Sequence, residues 1–136
     1  MKQILQGVAL FACLLSPLVT LAQVPDTQYS DSLAYITGGV GDEETAAILS
    51  EAKQWPLMLE LSQIESGRGI WIFGAKIKIV NSKQKIIFDA QANGPYMLVN
   101  IDPGEYVLLA SYQGVEQKRA LMVRAGQAQK MTIFWK

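Results

Sequence analysis

The sequence contains no histidine and a single cysteine, Cys13. Without histidine, the Ser-His-Asp and Cys-His catalytic arrangements are impossible, and the commonest neutral metal ligand is missing. Cys13 lies in an apolar N-terminal segment, so a chain that loses this segment has no thiol nucleophile, no cysteine zinc ligand and no disulfide. These absences predict a protein that is not an enzyme and that uses no cofactor or metal.

The sequence also lacks an excess of charge of either sign, with 12 basic and 12 acidic residues. Binding to nucleic acid depends on many lysines or arginines meeting phosphates, so the balance argues against a nucleic-acid partner. For the same reason we expect no electrostatic attachment to a membrane surface.

The first 22 residues have the pattern of a cleaved secretory signal. Lys2 supplies the positive charge, and residues 4–18 are mostly apolar. Thr20 and Ala22 are small residues at the two positions that a signal peptidase recognises before the cleavage point. A retained anchor is the alternative, although the apolar run is short for a span. Cleavage would remove 22 of 136 residues and leave 114, with 11 basic and 12 acidic residues and a net charge of −1. We therefore expect an exported protein, periplasmic or secreted, with one domain and no remaining membrane span.

The N-terminal part of the exported chain has three predicted pieces. Residues 23–33 are polar without a period and predict a flexible lead-in. Residues 34–56 predict a short strand, a turn at Gly38–Gly41 and a helix that begins near Asp42 and stops before Pro56. Apolar residues at helical spacing form one face of this helix: Ile48, Leu49, Ala52 and Trp55.

The segment Gly38–Gly41 resembles a phosphate-binding loop only in its glycine content. No Gly-Lys-Ser/Thr follows it, and the acids Asp42, Glu43 and Glu44 would repel an anion there. A calcium loop would need further oxygen ligands at alternating positions, and none follow. A tight turn that leads into the helix is the better interpretation.

From Leu57 onward the apolar pattern changes from helical spacing to a period of two. Ala75, Ile77 and Ile79, for example, alternate with Lys76 and Lys78. This alternation is typical of a sheet with one buried face and one solvent-exposed face. Short strands with turn signals between them predict an all-β sandwich over residues 57–136. At the turn Asp102–Glu105, the spacing predicts type II geometry, with Pro103 in second place and Gly104 at a positive φ.

Two motifs in this region resemble those of carboxypeptidase regulatory-like domains, the transthyretin-like or prealbumin-like sandwiches. The strand Gly74–Ile79 is similar to the family's Gly-Ala-x-Val-x-Val strand. Gly94 and Tyr96, followed by Ile101-x-Pro103-Gly104-x-Tyr106, are similar to its Gly-x-Tyr and Leu-x-Pro-Gly-x-Tyr elements.

The resemblance covers about residues 57–136 and implies an antiparallel sandwich of about seven strands. Residues 34–56 fall outside the family pattern, and we expect their helix to pack on the sandwich. It also implies a noncatalytic accessory module, in which Gly94, Pro103, Gly104 and Tyr106 have structural roles. Tyr106 is expected to bury its ring while its hydroxyl finds a backbone partner, as tyrosine does at sandwich corners.

The candidate contact surface consists of aromatic residues. Residues 70–73, Ile-Trp-Ile-Phe, are apolar on both faces of a strand, so one face should meet the core and the other the helix, a second subunit or a ligand. Trp71, Phe73 and Trp135 are therefore the candidate contact residues, and with Trp55 and Phe134 they could form a carbohydrate or peptide platform.

The partner is an unidentified protein or small ligand, and the oligomeric state is open. Two alternatives to a binding module remain. One is a structural subunit of a surface or envelope assembly that adds a strand to a neighbour. The other is a carboxylate-based hydrolase acting on sugar or peptide, with its acids drawn from Glu60, Glu65, Asp89, Asp102 and Glu105.

Overall fold

The computed structural model describes residues 23–136, which form ten β-strands in two sheets and one α-helix. The predicted signal sequence, with Cys13, lies outside the described residues. The elements are β1 Gln28–Ser30, β2 Leu33–Gly38, α1 Asp42–Glu51, a 3₁₀-helix Ala52–Gln54, β3 Leu57–Glu65, β4 Arg68–Trp71, β5 Lys76–Val80, β6 Ile86–Gln91, β7 Tyr96–Val99, β8 Gly104–Tyr112, β9 Val115–Val123 and β10 Gln129–Trp135. No helix in residues 23–136 has the length and apolar character needed to cross a membrane.

The strands divide into two sheets. Sheet A has the order β1-β2-β7-β3-β10, with β4 paired to the far end of β3, and sheet B has the order β6-β5-β8-β9. All pairs are antiparallel except β3 with β10, which run parallel from Leu57 opposite Gln129 to Gln63 opposite Trp135. The chain is thus mainly β and sandwich-like as predicted, but the expectations of about seven strands and of a purely antiparallel sandwich are wrong.

Two local features account for part of the higher strand count. Residues 28–30, placed by the sequence pattern in the lead-in, form β1 and pair with β2. Residues 70–80, whose sequence has the pattern of one long β-strand, contribute to two strands, β4 of sheet A and β5 of sheet B. Gly74 lies between them with a φ of +86°, a conformation that L side chains rarely adopt and that glycine permits as the chain passes between sheets.

The main core lies between the two sheets, as the alternating pattern predicts. Along β5, Ile77 and Ile79 are fully buried, whereas Lys76 is exposed and Lys78 is partly exposed on the other face. Each fully buried large apolar side chain contributes roughly 1.5–3 kcal/mol relative to leaving it in water. The largest such residues in this core are Leu57, Leu59, Leu61, Ile77, Ile79, Phe88, Met97, Val99, Leu108 and Ile133.

A second, smaller core lies on the outer face of sheet A, where α1 packs. Ile48 and Ala52 of the helical segment contact a cluster that contains Ile36, Met58 and Leu98 from three adjacent strands. The prediction of an N-terminal helix packed on the sandwich is confirmed. The helix covers only one end of this face.

Side chains bridge both open margins between the sheets. On one margin, Ser30 Oγ of β1 accepts a hydrogen bond from the Asp89 N–H of β6 at 2.9 Å and donates to the Asp89 carbonyl at 3.2 Å. On the other, Gln117 Nε2 of β9 donates to the Phe134 carbonyl of β10 at 2.7 Å. Each contact occupies polar backbone groups of one residue on an edge strand, whereas β4 pairs only with β3 and has no strand on its outer side.

Candidate functional site

The three aromatic residues proposed as a contact surface lie in two different environments. Trp71 is the last residue of β4 and is 44% exposed, and Phe73 just beyond it is 55% exposed. Trp135, by contrast, is 3% exposed, and its indole N–H donates to the Val115 carbonyl at 2.9 Å. Trp135 is therefore a core residue, and Trp71 and Phe73 remain as surface candidates. Ile72 between them is buried in the main core, as expected if one face of residues 70–73 meets the core.

The strand register aligns Trp71 with a second exposed aromatic residue. Ser62 of β3 is paired with Trp71 of β4 on one side and with Phe134 of β10 on the other. Residues directly opposite one another point to the same face of a sheet, so these three side chains form one line on the outer face. We call Phe134, Ser62 and Trp71 the aromatic row. Phe134 is 46% exposed, and the row lies beyond the end of the face that α1 covers.

A polar row lies next to the aromatic row on the side toward the helix. Glu60 of β3 is paired with Thr132 of β10 and with Tyr96 of β7. The Glu60 carboxylate also forms an ion pair with Lys130, with 2.8 Å between Oε2 and Nζ. The Tyr96 ring contacts Trp71 edge-on, with 6.2 Å between ring centroids. The two rows therefore form a continuous surface, in which the ring of Trp71 packs against the ring of Tyr96.

The charges of the polar row affect one another. Burial, and then the Glu60 carboxylate, raise the pKa of Tyr96 above its ordinary value, while the Lys130 ammonium opposes this shift. The hydrogen bond from Lys130 to Glu60, and then their mutual attraction, raise the pKa of Lys130. Near neutral pH this row therefore carries a neutral phenol and a self-compensating ion pair, and it offers hydrogen-bond donors and acceptors without net charge.

The glycine loop, Gly38–Gly41, uses its polar groups internally. The N–H groups of Gly39 and Val40 both donate to Glu44 Oε1, at 2.8 and 3.3 Å. Thr45 Oγ1 donates to the Gly39 carbonyl at 3.0 Å. Because the Glu44 carboxylate accepts from two N–H groups of the loop and would repel an anion there, the loop acts as a turn that leads into α1.

Two of the four predicted structural residues make contacts that explain the type of residue found there. At Gly94, an added Cβ would overlap the backbone carbonyl of Gly38, so only glycine allows this approach. The Tyr106 hydroxyl donates to the Asp102 carbonyl at 2.8 Å, which confirms the predicted backbone partner. Its ring is partly buried against the main core.

Gly104 has the predicted positive φ, but the predicted type II turn at Pro103–Gly104 is wrong. Gly104 has a φ of +157°, far from the value near +80° that a type II turn requires, and it is already the first residue of β8. A Cβ at Gly104 would lie 3.3 Å from the Tyr106 hydroxyl oxygen. Glycine therefore leaves room for the tyrosine hydroxyl, and the hydrogen bond to Asp102 holds this corner in place of a turn.

The acids considered for a hydrolase are dispersed over the fold. Glu60 and Glu65 lie on β3 of sheet A, Asp89 on β6 and Glu105 on β8 of sheet B, and Asp102 precedes β8. Among residues 23–136 no group of three or more histidine, cysteine, aspartate or glutamate side chains could hold a metal ion.

The hollows in the surface are shallow and open. One of about 430 Å³ lies at the margin between the sheets and is lined by Tyr112, Gln117, Arg119 and Trp135, among others. Another, of about 410 Å³, lies beside Trp55, whose indole N–H donates to Glu51 Oε1 at 3.1 Å. Trp55 precedes β3 and packs at the end of the outer face that the helix covers, whereas the aromatic row crosses β3 at Ser62, toward the other end.

Sequence reasoning included Phe134 in the aromatic platform but missed Ser62 and Tyr96. The period of two from Leu57 already places Glu60 and Ser62 on one face of β3, but only the register shows which residues flank them. Neither a protein-family model nor a curated protein matches this sequence.

Proposed function

We propose that this protein is a noncatalytic, exported binding or accessory module that makes its contacts through the aromatic row and the adjacent Phe73. The observation that carries the proposal is the alignment of two half-exposed aromatic rings on the part of sheet A that the helix leaves open. Exposed aromatic residues grouped on one face are typical of contact sites, because an isolated protein gains nothing by leaving them in water.

We further propose that the sandwich is of the transthyretin-like kind. Support comes from the two facing sheets, from the close approach at Gly94 and from the Tyr106 hydroxyl bond at the corner. Export is proposed from the N-terminal charge and apolar pattern and agrees with the absence of cysteine after residue 22.

The two other functional classes have less support from the geometry. Strand addition to a neighbour needs a free sheet edge. The outer side of β4 is such an edge but is only four residues long, and side-chain hydrogen bonds bridge the margins at Ser30 and Gln117. A carboxylate hydrolase needs two facing acids, and the one acid beside the aromatic row, Glu60, is paired with Lys130.

Hydroxyl-radical footprinting tests the location of the contact surface. The purified protein is oxidised alone and with an extract of the compartment to which it is exported, and each aromatic residue is followed by mass spectrometry. We expect protection of Trp71 and Phe134, with none at Tyr29, an aromatic residue on β1 that is 69% exposed. Equal labelling of Trp71 with and without extract, or protection confined to Tyr29, would contradict the proposal.

A further inference from the structure

We infer that the aromatic row binds a neutral polysaccharide, with one sugar ring against Trp71 and another against Phe134. This inference rests on the proposed function, because it names the class of ligand for the same surface. It follows from the spacing of the two rings, from the support of Trp71 and from the charge of the polar row.

The spacing of the two strands that carry the aromatic residues suits alternate sugar units of a chain. Trp71 and Phe134 lie on strands that flank β3, so their backbones are two strand spacings apart, roughly 10 Å. This distance is on the scale of a disaccharide. Ser62 between them is small, so no bulky side chain stands between the two positions. The C–H faces of pyranose rings are apolar, and aromatic rings offer them matching surfaces.

The surroundings of Trp71 reduce the conformational freedom that binding would remove. Its ring contacts Tyr96 edge-on, and Tyr96 is itself 5% exposed and packed in the cluster beneath the helix. A side chain held in place before binding loses less entropy when a ligand arrives. Trp71 nevertheless remains 44% exposed, so part of its surface is open to a ligand.

The polar row supplies hydrogen-bonding groups next to the rings. Ser62 lies in the aromatic row, and Thr132 and Glu60 lie in the next row, so hydroxyl and carboxylate oxygens border the path of a sugar chain. Side chains of Glu60 and Lys130 remain 23% and 55% exposed. Because these two charges compensate one another, the surface favours a neutral polymer over an acidic one.

The shape of the surface favours an extended polymer over a small enclosed ligand. The row lies across an open sheet face. Phe134 also lines the hollow at the margin between the sheets, whereas Trp71 lines neither of the hollows described above. A chain can therefore continue past both rings, and affinity would grow with the number of sugar units until both positions are filled.

Affinity electrophoresis with named polysaccharides tests this inference. Native gels contain hydroxyethyl cellulose, galactomannan or soluble starch as neutral polymers, and alginate as the acidic comparison. We expect at least one neutral polymer to retard the protein, with alginate without effect. Trp71→Ala and Phe134→Ala should each weaken the retardation at least tenfold, whereas Phe134→Trp should preserve it. Tyr29→Ala removes an exposed aromatic residue outside the row and should change nothing.

Circular dichroism of each variant verifies that the fold is intact. The inference is overturned if no neutral polymer retards the protein, if only alginate does, or if Trp71→Ala and Tyr29→Ala behave alike. It is also overturned if light scattering shows a dimer that Trp71→Ala dissociates, because a second copy would then cover the row. Footprint protection of Trp71 without polysaccharide binding would overturn the ligand class alone, whereas the loss of both results would overturn the proposed function as well.

Discussion

Replacing Gly94 with alanine should be among the most damaging single-methyl changes in this fold. The added Cβ would overlap the backbone carbonyl group of Gly38 on β2, and backbone atoms cannot rotate away as a flexible side chain can. Two hydrogen bonds also oppose a movement of the loop away from Gly38. The Asn93 N–H donates to Thr37 Oγ1 at 2.9 Å, and the Pro95 carbonyl accepts from the Leu61 N–H at 2.7 Å.

The expected cost of Gly94→Ala follows from these contacts. Overpacking typically costs about 1–3 kcal/mol. If the loop moves to relieve the overlap, it weakens two hydrogen bonds, each of which contributes about 1 kcal/mol. We therefore expect a loss of about 3 kcal/mol in the free energy of unfolding, and a melting temperature lower by about 10 °C for a domain of this size. Urea denaturation followed by tryptophan fluorescence and circular dichroism measures the first quantity directly.

Two other glycines provide matched controls. Gly69→Ala adds the same methyl group where nothing lies within 4 Å and φ is not positive, so its effect should stay within about 0.5 kcal/mol. Gly41→Ala meets no atom but has a φ of +83°, so it measures backbone strain alone, about 1 kcal/mol. If Gly94→Ala unfolds at the same urea concentration as Gly69→Ala, the close approach of Gly38 does not constrain the fold and the reasoning is refuted.

Three further predictions concern the helix and the tyrosine corner. Glu44→Ala removes the acceptor of two backbone N–H groups and should cost about 1 kcal/mol in thermal melts, whereas the exposed Glu43→Ala should stay within about 0.5 kcal/mol. Ile48→Ala empties a fully buried position and should cost about 2–5 kcal/mol in urea denaturation, against less than about 1 kcal/mol for Leu49→Ala, which is 40% exposed. Tyr106→Phe should cost about 1 kcal/mol at neutral pH because it removes the corner hydrogen bond. Burial, and then the Asp102 carboxylate, raise the pKa of Tyr106 above 10.0, so the folded state favours the protonated phenol. The free energy of unfolding should therefore fall as the pH rises above 10, and it should fall less steeply in Tyr106→Phe. Identical alkaline slopes for the two proteins would contradict this expectation.

The class of fold and its local elements could be predicted because they depend on short-range patterns. The apolar spacing around Ile48 and the stop at Pro56 predict the helix, and alternation such as Ile77 and Ile79 between lysines predicts strands with one buried face. These patterns depend on side-chain geometry within one element, so the sequence contains them in full.

The pairing of strands could not be predicted in the same way. The parallel contact of β3 with β10 joins residues about seventy positions apart, and alternation is the same for parallel and antiparallel neighbours. The predicted turn at Gly104 failed for a related reason. The residue type permits a type II turn, but Gly104 begins β8 with a φ of +157° and lies against the Tyr106 hydroxyl.

The amino-acid sequence by itself determined that this protein has a β-rich core and one helix, and that it lacks histidine and, after residue 22, cysteine. Tertiary structure alone decided that Trp135 is buried, that Trp71 is exposed, and that Phe134 lies in line with Trp71 across Ser62. The reason is physical. The apolar period of a strand or helix depends on residues that are close together in the chain. The exposure of a side chain and its alignment with others depend instead on which strands pair, and the packing of the whole core determines that pairing.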